Sequence, residues 1–239
     1  MRLAPRWLHQ NAGFARKLKG FGVYLNSVCT QPGAAGGPNK EFVWLPQATG
    51  TPSAYKAKGF EAKLYTFDPG VEELPTVECT SSLTKGKEGR TESTAIVKFK
   101  GCEESGEKCV GGHDAIAGEI ITFELKGKLG VIDAATEEVG EDFVSNGPGG
   151  IFASFRCADD IETKGSVIAS VTQVNAKAST KSIRTFTVVG SKQEPENLEG
   201  EPKDTLFTEV DSLAGGIFPF TSVEETVLEV TGKSAETRF

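Results

Sequence analysis

Several things are scarce or missing in this chain, and each absence excludes something. No run of about 18 apolar residues occurs, so no membrane-spanning helix is expected. Histidine appears only as His9 and His113, which leaves little imidazole for catalysis or metal binding, and the one methionine is Met1. No N-x-[ST] acceptor, no G-x-S-x-G nucleophile elbow and no D-x-[DN]-x-[DN]-G calcium loop is present. TGKS at 231–234 resembles the end of a phosphate-binding loop, but the earlier glycine such a loop needs falls on Val227. Acids are absent from residues 1–40, where Arg2, Arg6, Arg16, Lys17, Lys19 and Lys40 supply +6. The whole chain carries −7, so the remaining 20 bases against 33 acids leave −13 on the body. A body of that charge repels phosphate backbones, which argues against nucleic acid as a partner of the main domain.

What is present points to strands. The 239 residues suffice to bury a core, and 28 glycines with 8% aromatics favour a turn-rich β protein. After residue 41 short apolar–polar runs alternate with Gly, Pro and acidic turns, placing strands near 42–46, 58–67, 75–81, 92–101, 115–125 and 128–133. Others follow near 142–145, 150–157, 165–174, 182–190, 204–210 and 217–231. In ESTAIVKFK, Ala95, Val97 and Phe99 share one face, and in EIITFEL, Ile121, Phe123 and Leu125 share another. ELKGKLG reads as a tight hairpin turning at Lys126-Gly127, and NGPGG at 146–150 as a hairpin turn. EEVGED and SKQEPENLEGEPKD read as acidic surface loops, the second mobile. No long helical period interrupts the series, which argues against βαβ units. The fold class is all-β, an antiparallel sandwich or partly closed barrel over residues 41–239. Residues 1–40 form a basic segment and linker that is disordered, signal-like or a misassigned start. Leu3, Trp7, Phe14, Leu18, Phe21 and Leu25 are also spaced for a basic amphipathic helix at a membrane surface, weakened by Gly13, Gly20 and Gly22.

The stretch GCEESGEKCVGGHD, residues 101–114, is the most suggestive in chemistry. Cys102, Cys109, His113 and Asp114 can be drawn as a metal tetrahedron, but zinc sites place cysteines two to four residues apart and require a second ligand pair. A Cys-His nucleophile needs a rigid base, and His113 stands in a glycine-rich loop. The simpler reading is disulfides: the body holds an even set, Cys79, Cys102, Cys109 and Cys157. Proximity in sequence suggests Cys102–Cys109 and Cys79–Cys157, although four cysteines allow three pairings. Cys29 is left as a free or intermolecular thiol. Disulfides imply an extracytoplasmic location, secreted or at the cell surface. Trp44, Tyr55 and Tyr65 are candidates for a sugar-stacking platform or, more simply, for core and rim aromatics.

The succession VECTSS, VKFKGCE, GEKC, AGEIITFELKGKLG, Cys157 and VTQVN, spanning roughly residues 75–190, resembles a group of uncharacterised secreted β-rich proteins of soil actinobacteria. That resemblance implies secretion and a β fold, with no catalytic residue to carry over. The chain departs from the group in lacking a clear hydrophobic signal core. The expected function is a non-enzymatic exported domain in envelope structure, adhesion or ligand binding. The alternatives are a polysaccharide hydrolase with paired carboxylates and a self-assembling shell or filament subunit. A cell-wall or protein partner, or self-association, is expected; a cofactor or metal is not.

Overall fold

The computed structural model describes residues 13–17, 42–46, 52–67, 76–89, 92–112, 116–133, 135–136, 138–172, 181–199, 204–212 and 216–232. Cys29, His113 and Asp114, and the side chain of Trp44, lie outside what is described. Where the basic segment is described it is a strand rather than a helix. β1 (Gly13–Lys17) pairs antiparallel with β2 (Phe42–Pro46), placing Ala15 opposite Trp44.

The main sheet begins with β3 (Ser53–Phe67), β4 (Val77–Cys79), β5 (Ser81–Glu88) and β6 (Glu92–Lys100). Short β7 (Glu103–Glu104), β8 (Glu107–Lys108), β9 (Val110–Gly111) and β10 (Glu119–Ile121) lead into β11 (Leu125–Asp133). Then come β12 (Glu138–Ser145), β13 (Ile151–Arg156), β14 (Asp160–Lys164) and β15 (Ser166–Thr172). β16 (Lys181–Val189), β17 (Lys192–Glu194), β18 (Phe207–Ser212) and β19 (Gly216–Gly232) follow. Among the described residues there is no α-helix, only a 3-10 turn at Pro148–Gly150.

Hydrogen-bonded neighbours close a ring: β3, β5, β6, β11, β12, β15, β16, β19 and back to β3. A second circuit leaves β3 through β4 and β7, continues through β8 and β9, then β13, β14 and β18, and returns to β19. The fold is therefore a closed barrel, and closure pairs edges that an open sandwich would expose. β3 and β19 are long enough to serve both rings. At their midpoint Phe60 and Glu61 face the single residue Val227, a bulge that bends the pair between one ring and the other.

Alternation decides which residues fill the interior. In β3, Tyr55, Ala57 and Gly59 are buried while Ala54, Lys56 and Lys58 are exposed. In β6, Ser93, Ala95 and Val97 are buried with Phe99 half-buried, as the pattern of ESTAIVKFK predicts. EIITFEL departs from expectation. β10 stops at Ile121 and β11 starts at Leu125, so the buried residues are Ile120, Thr122 and Leu125. Thr122 mends the break: its N–H donates to the Val97 carbonyl (2.9 Å) and its hydroxyl accepts from the Val97 N–H (3.0 Å).

Lys126-Gly127 is no turn either; both lie within β11. Gly127 is there because a Cβ would strike Ser93, Glu141 and Phe143, which occupy the interior beside it. NGPGG does turn the chain, but β12 and β13 on either side pair with other strands, so it is a crossing rather than a hairpin. EEVGED is not a surface loop, since Glu138–Ser145 is strand and Glu141 is 1% exposed. The described part of SKQEPENLEGEPKD is pinned. β17 pairs with β16, and Leu198, 2% exposed, fills space that Gly130 and Gly140 leave.

Candidate functional site: the barrel interior

The interior is built from the inward face of each ring strand. Val97, Leu125, Phe143, Phe186 and Leu228 come from the first ring and Phe155 from the second, all buried. Between them lies a cavity of about 90 Å³ with almost wholly apolar walls. One water needs only about 10–15 Å³ of such space, and a dry apolar cavity of about 150 Å³ accepts benzene.

Three charged residues, Lys63, Arg184 and Glu224, stand among the lining of this apolar space, none of them anticipated as a site residue. At one end Arg184 of β16 points inward, 1% exposed, because it shares the period-two face of Phe186. Its Nε donates to Glu141 Oε2, its Nη2 to Glu88 Oε1 (3.1 Å) and its Nη1 to Ser182 Oγ (3.1 Å). Ser93 Oγ donates to the other Glu141 oxygen (2.5 Å), and the guanidinium carbon stands 5.5 Å from the centre of the Tyr55 ring. Burial works against the Arg184 charge, but Glu141 and Glu88 outweigh it and raise its pKa above the ordinary arginine value. Burial pushes the Glu88 carboxyl up despite Arg184, and pushes the Tyr55 phenol well above its usual range. Glu141 faces Leu129 and Ala169 across the ladders and Arg184 faces Val171, so hydrocarbon flanks this pair, while Glu88 keeps 21% of its side chain exposed.

Glu224 of β19 is different. It sits opposite Leu64 near the junction of the rings, shares the face of Thr226 and Leu228, and lines the cavity. Its backbone is clamped by Gln193, whose Oε1 accepts from the Glu224 N–H (2.8 Å) and whose Nε2 donates to the Glu224 carbonyl (3.0 Å). Its carboxyl has no hydrogen-bond or ion-pair partner among the described residues. Burial, helped by nearby Asp204, pushes the Glu224 pKa up to about 7. Asp204 is itself pushed up to about 6 by burial, against N–H bonds from Leu206 (3.1 Å) and Ile168 (3.3 Å). Glu224 thus presents a carboxyl without an ion-pair partner to a mostly apolar space, whereas the two cations in the lining, Lys63 and Arg184, are ion-paired to other acids. A signal for it was available, because Glu224 falls on the apolar face of Thr226, Leu228 and Val230.

All four body cysteines are committed to disulfides, but not in the expected pairs. The bonds are Cys79–Cys102 and Cys109–Cys157 rather than Cys102–Cys109 and Cys79–Cys157. The register gives the reason. Cys102 and Cys109 do face each other across the β7–β8 hairpin, which turns on Ser105 (φ 52°) and Gly106 (φ 87°). The Cys109 N–H, however, donates to the Cys102 carbonyl (3.0 Å). That makes the pair the wide kind, with Cα atoms about 5.5 Å apart. Extending the β4–β7 and β13–β9 registers by one step sets Cys79 opposite Cys102 and Cys157 opposite Cys109. Those Cα separations are 4.0 and 4.1 Å, those of the close kind of pair. The four cysteines therefore form one row across the second ring, and no thiolate remains for the cluster drawn from Cys102, Cys109, His113 and Asp114. Tyr55 and Tyr65 do not form a platform. Tyr55 is buried, while the Tyr65 hydroxyl donates to Glu225 (2.8 Å) and its ring stacks on Phe67 at 6.4 Å.

Fold and interior together define a class: a closed, almost wholly antiparallel β-barrel with a small apolar cavity, a buried ion network and two cross-strand disulfides. No protein-family model, no curated protein and no solved structure matches the chain.

Proposed function

We propose that this chain is an exported, non-enzymatic β-barrel that binds a small, mostly apolar molecule carrying one amine or hydroxyl group. The observation that carries this reading is the unpartnered Glu224 carboxyl in the wall of the 90 Å³ cavity. Apolar walls supply affinity through burial, and a single polar group fixes the orientation of the guest. An amine or hydroxyl hydrogen-bonds to Glu224, whereas an anionic guest is repelled once Glu224 is ionised. The two disulfides are compatible with an extracytoplasmic setting and support export. The motif resemblance to secreted actinobacterial proteins points the same way.

The test is a thermal-shift series on the full chain with small amines, alcohols and carboxylates of matched size. Amines and alcohols are expected to raise the melting temperature in proportion to occupancy, and carboxylates to leave it unchanged at pH 8. Filling the space with Ala153→Leu removes the response. A melting temperature indifferent to every compound overturns the binding reading, and four free thiols in protein from the native host overturn export.

A further inference from the structure

The body carries −13, yet its lysines are not evenly spread over the barrel. On the outer face of β3, β5 and β6, the register sets Lys56 directly opposite Lys85, Lys58 opposite Leu83, and Lys85 opposite Ile96. Lys87 faces Thr94, which faces Lys126 of β11 on its other side. Lys56, Lys58, Lys85, Lys87 and Lys126 are all exposed. Like charges placed directly opposite destabilise a sheet, so Lys56 and Lys85 gain nothing from the fold itself.

Large apolar side chains stand among these lysines. Phe60 at the bulge is 64% exposed, Leu83 42% and Ile96 44%, with Val227 across from the bulge at 40%. Acids border this face, with Glu229 opposite Lys58 and Glu92 opposite Lys128, and cluster across the β14–β18 ladder, where Asp160 faces Asp211 and Glu162 faces Glu209, partly neutralised by Arg156 and Lys164. That acidic ladder holds no exposed large apolar residue among Asp160–Lys164 and Phe207–Asp211.

We infer that the β3–β5–β6 face is a docking surface for an anionic lipid bilayer. The interleaving selects this occupant. Lysines are drawn to the negative surface potential, and Phe60, Leu83 and Ile96 enter the interfacial layer between headgroups. A soluble polyanion answers the lysines but leaves the apolar side chains in water. The acidic ladder of a second copy does the same, since it offers no apolar counterpart. Docking here is independent of what fills the cavity, because these side chains point outward.

The experiment uses the full chain and co-sedimentation with vesicles of phosphatidylcholine alone or with about a third phosphatidylglycerol. Binding is expected to the anionic vesicles only, and to weaken as salt rises. The double variant Lys56→Gln/Lys85→Gln lowers the partition coefficient about fivefold per lysine. Phe60→Ser lowers it as well, although it leaves charge unchanged. All three positions are exposed, so circular dichroism and thermal melting should match the parent. No sedimentation with anionic vesicles overturns the inference, as does an unchanged partition of the lysine variant. Retention on heparin with no effect of Phe60→Ser assigns the face to a polyanion instead. A dimer in size-exclusion chromatography that the lysine variant dissolves, without vesicle binding, assigns it to a second copy.

Discussion

Arg184 and Glu141 form an ion pair with side chains 2% and 1% exposed, flanked inside the barrel by Leu129, Ala169 and Val171. Such a pair contributes little net stability, because desolvating two charges offsets most of their attraction. Removing one partner is another matter, since the other charge is left buried and alone. Arg184→Met is expected to cost about 3–5 kcal/mol. Arg184→Met combined with Glu141→Leu should recover most of that loss. Urea denaturation midpoints of the two single variants and the double variant measure the coupling, and additive losses would remove the network from this account.

Gly127 lies against the same network, and its missing side chain gives Glu141 and Ser93 their room. Gly127→Ala forces a methyl into a fixed, hydrogen-bonded cluster and is expected to cost about 1–3 kcal/mol. Gly106→Ala is the informative control. Nothing lies within 4 Å of its added methyl, so its cost comes only from the positive φ of 87°. Equal denaturation shifts for the two would mean that crowding at Gly127 is not the cause.

Peptide mapping of non-reduced protein should return fragments joined Cys79–Cys102 and Cys109–Cys157. A Cys102–Cys109 linkage would contradict the register of the row. The bonds close sequence separations of 23 and 48 residues, so each Cys→Ser pair is expected to lose about 3–4 kcal/mol by chain entropy.

Glu224 sets a pH dependence of definite sign. Folded Glu224 keeps its proton up to about pH 7, whereas its ordinary value is 4.5. Between these values the folded state binds more protons than the unfolded state, so stability falls as pH rises, by about 3 kcal/mol in all. Asp204 adds a slope of the same sign between 3.8 and about 6. Glu224→Gln should flatten the profile above pH 6 and reduce the slope below it to the share of Asp204. Thermal melts from pH 5 to pH 8 read this directly, and a parent protein that gains stability over that range would refute it.

Much of the fold was legible because a strand with one wet face must alternate. ESTAIVKFK places Ala95, Val97 and Phe99 inward, and the even cysteine set is oxidised in full. The failures share a cause. EEVGED reads as surface because a short run of charges usually is, and Arg184, inside the expected strand 182–190, carries no local sign that it points inward. Glu141 and Arg184 are buried because each neutralises the other across strands 43 residues apart in sequence. Lys126-Gly127 read as a turn because glycine usually marks one, whereas here it marks crowding from Glu141. Neither partner is visible from the other's neighbourhood.

The sequence by itself determined strand alternation, the oxidised cysteine set and the excess of acid, since each depends on residue type and near neighbours. Tertiary structure decided barrel rather than sandwich, which cysteine meets which, and where the charges fall. Those are properties of register: a shift of one residue would turn every side chain to the opposite face. Register alone sets Lys56 beside Lys85 and turns Glu224 toward the cavity.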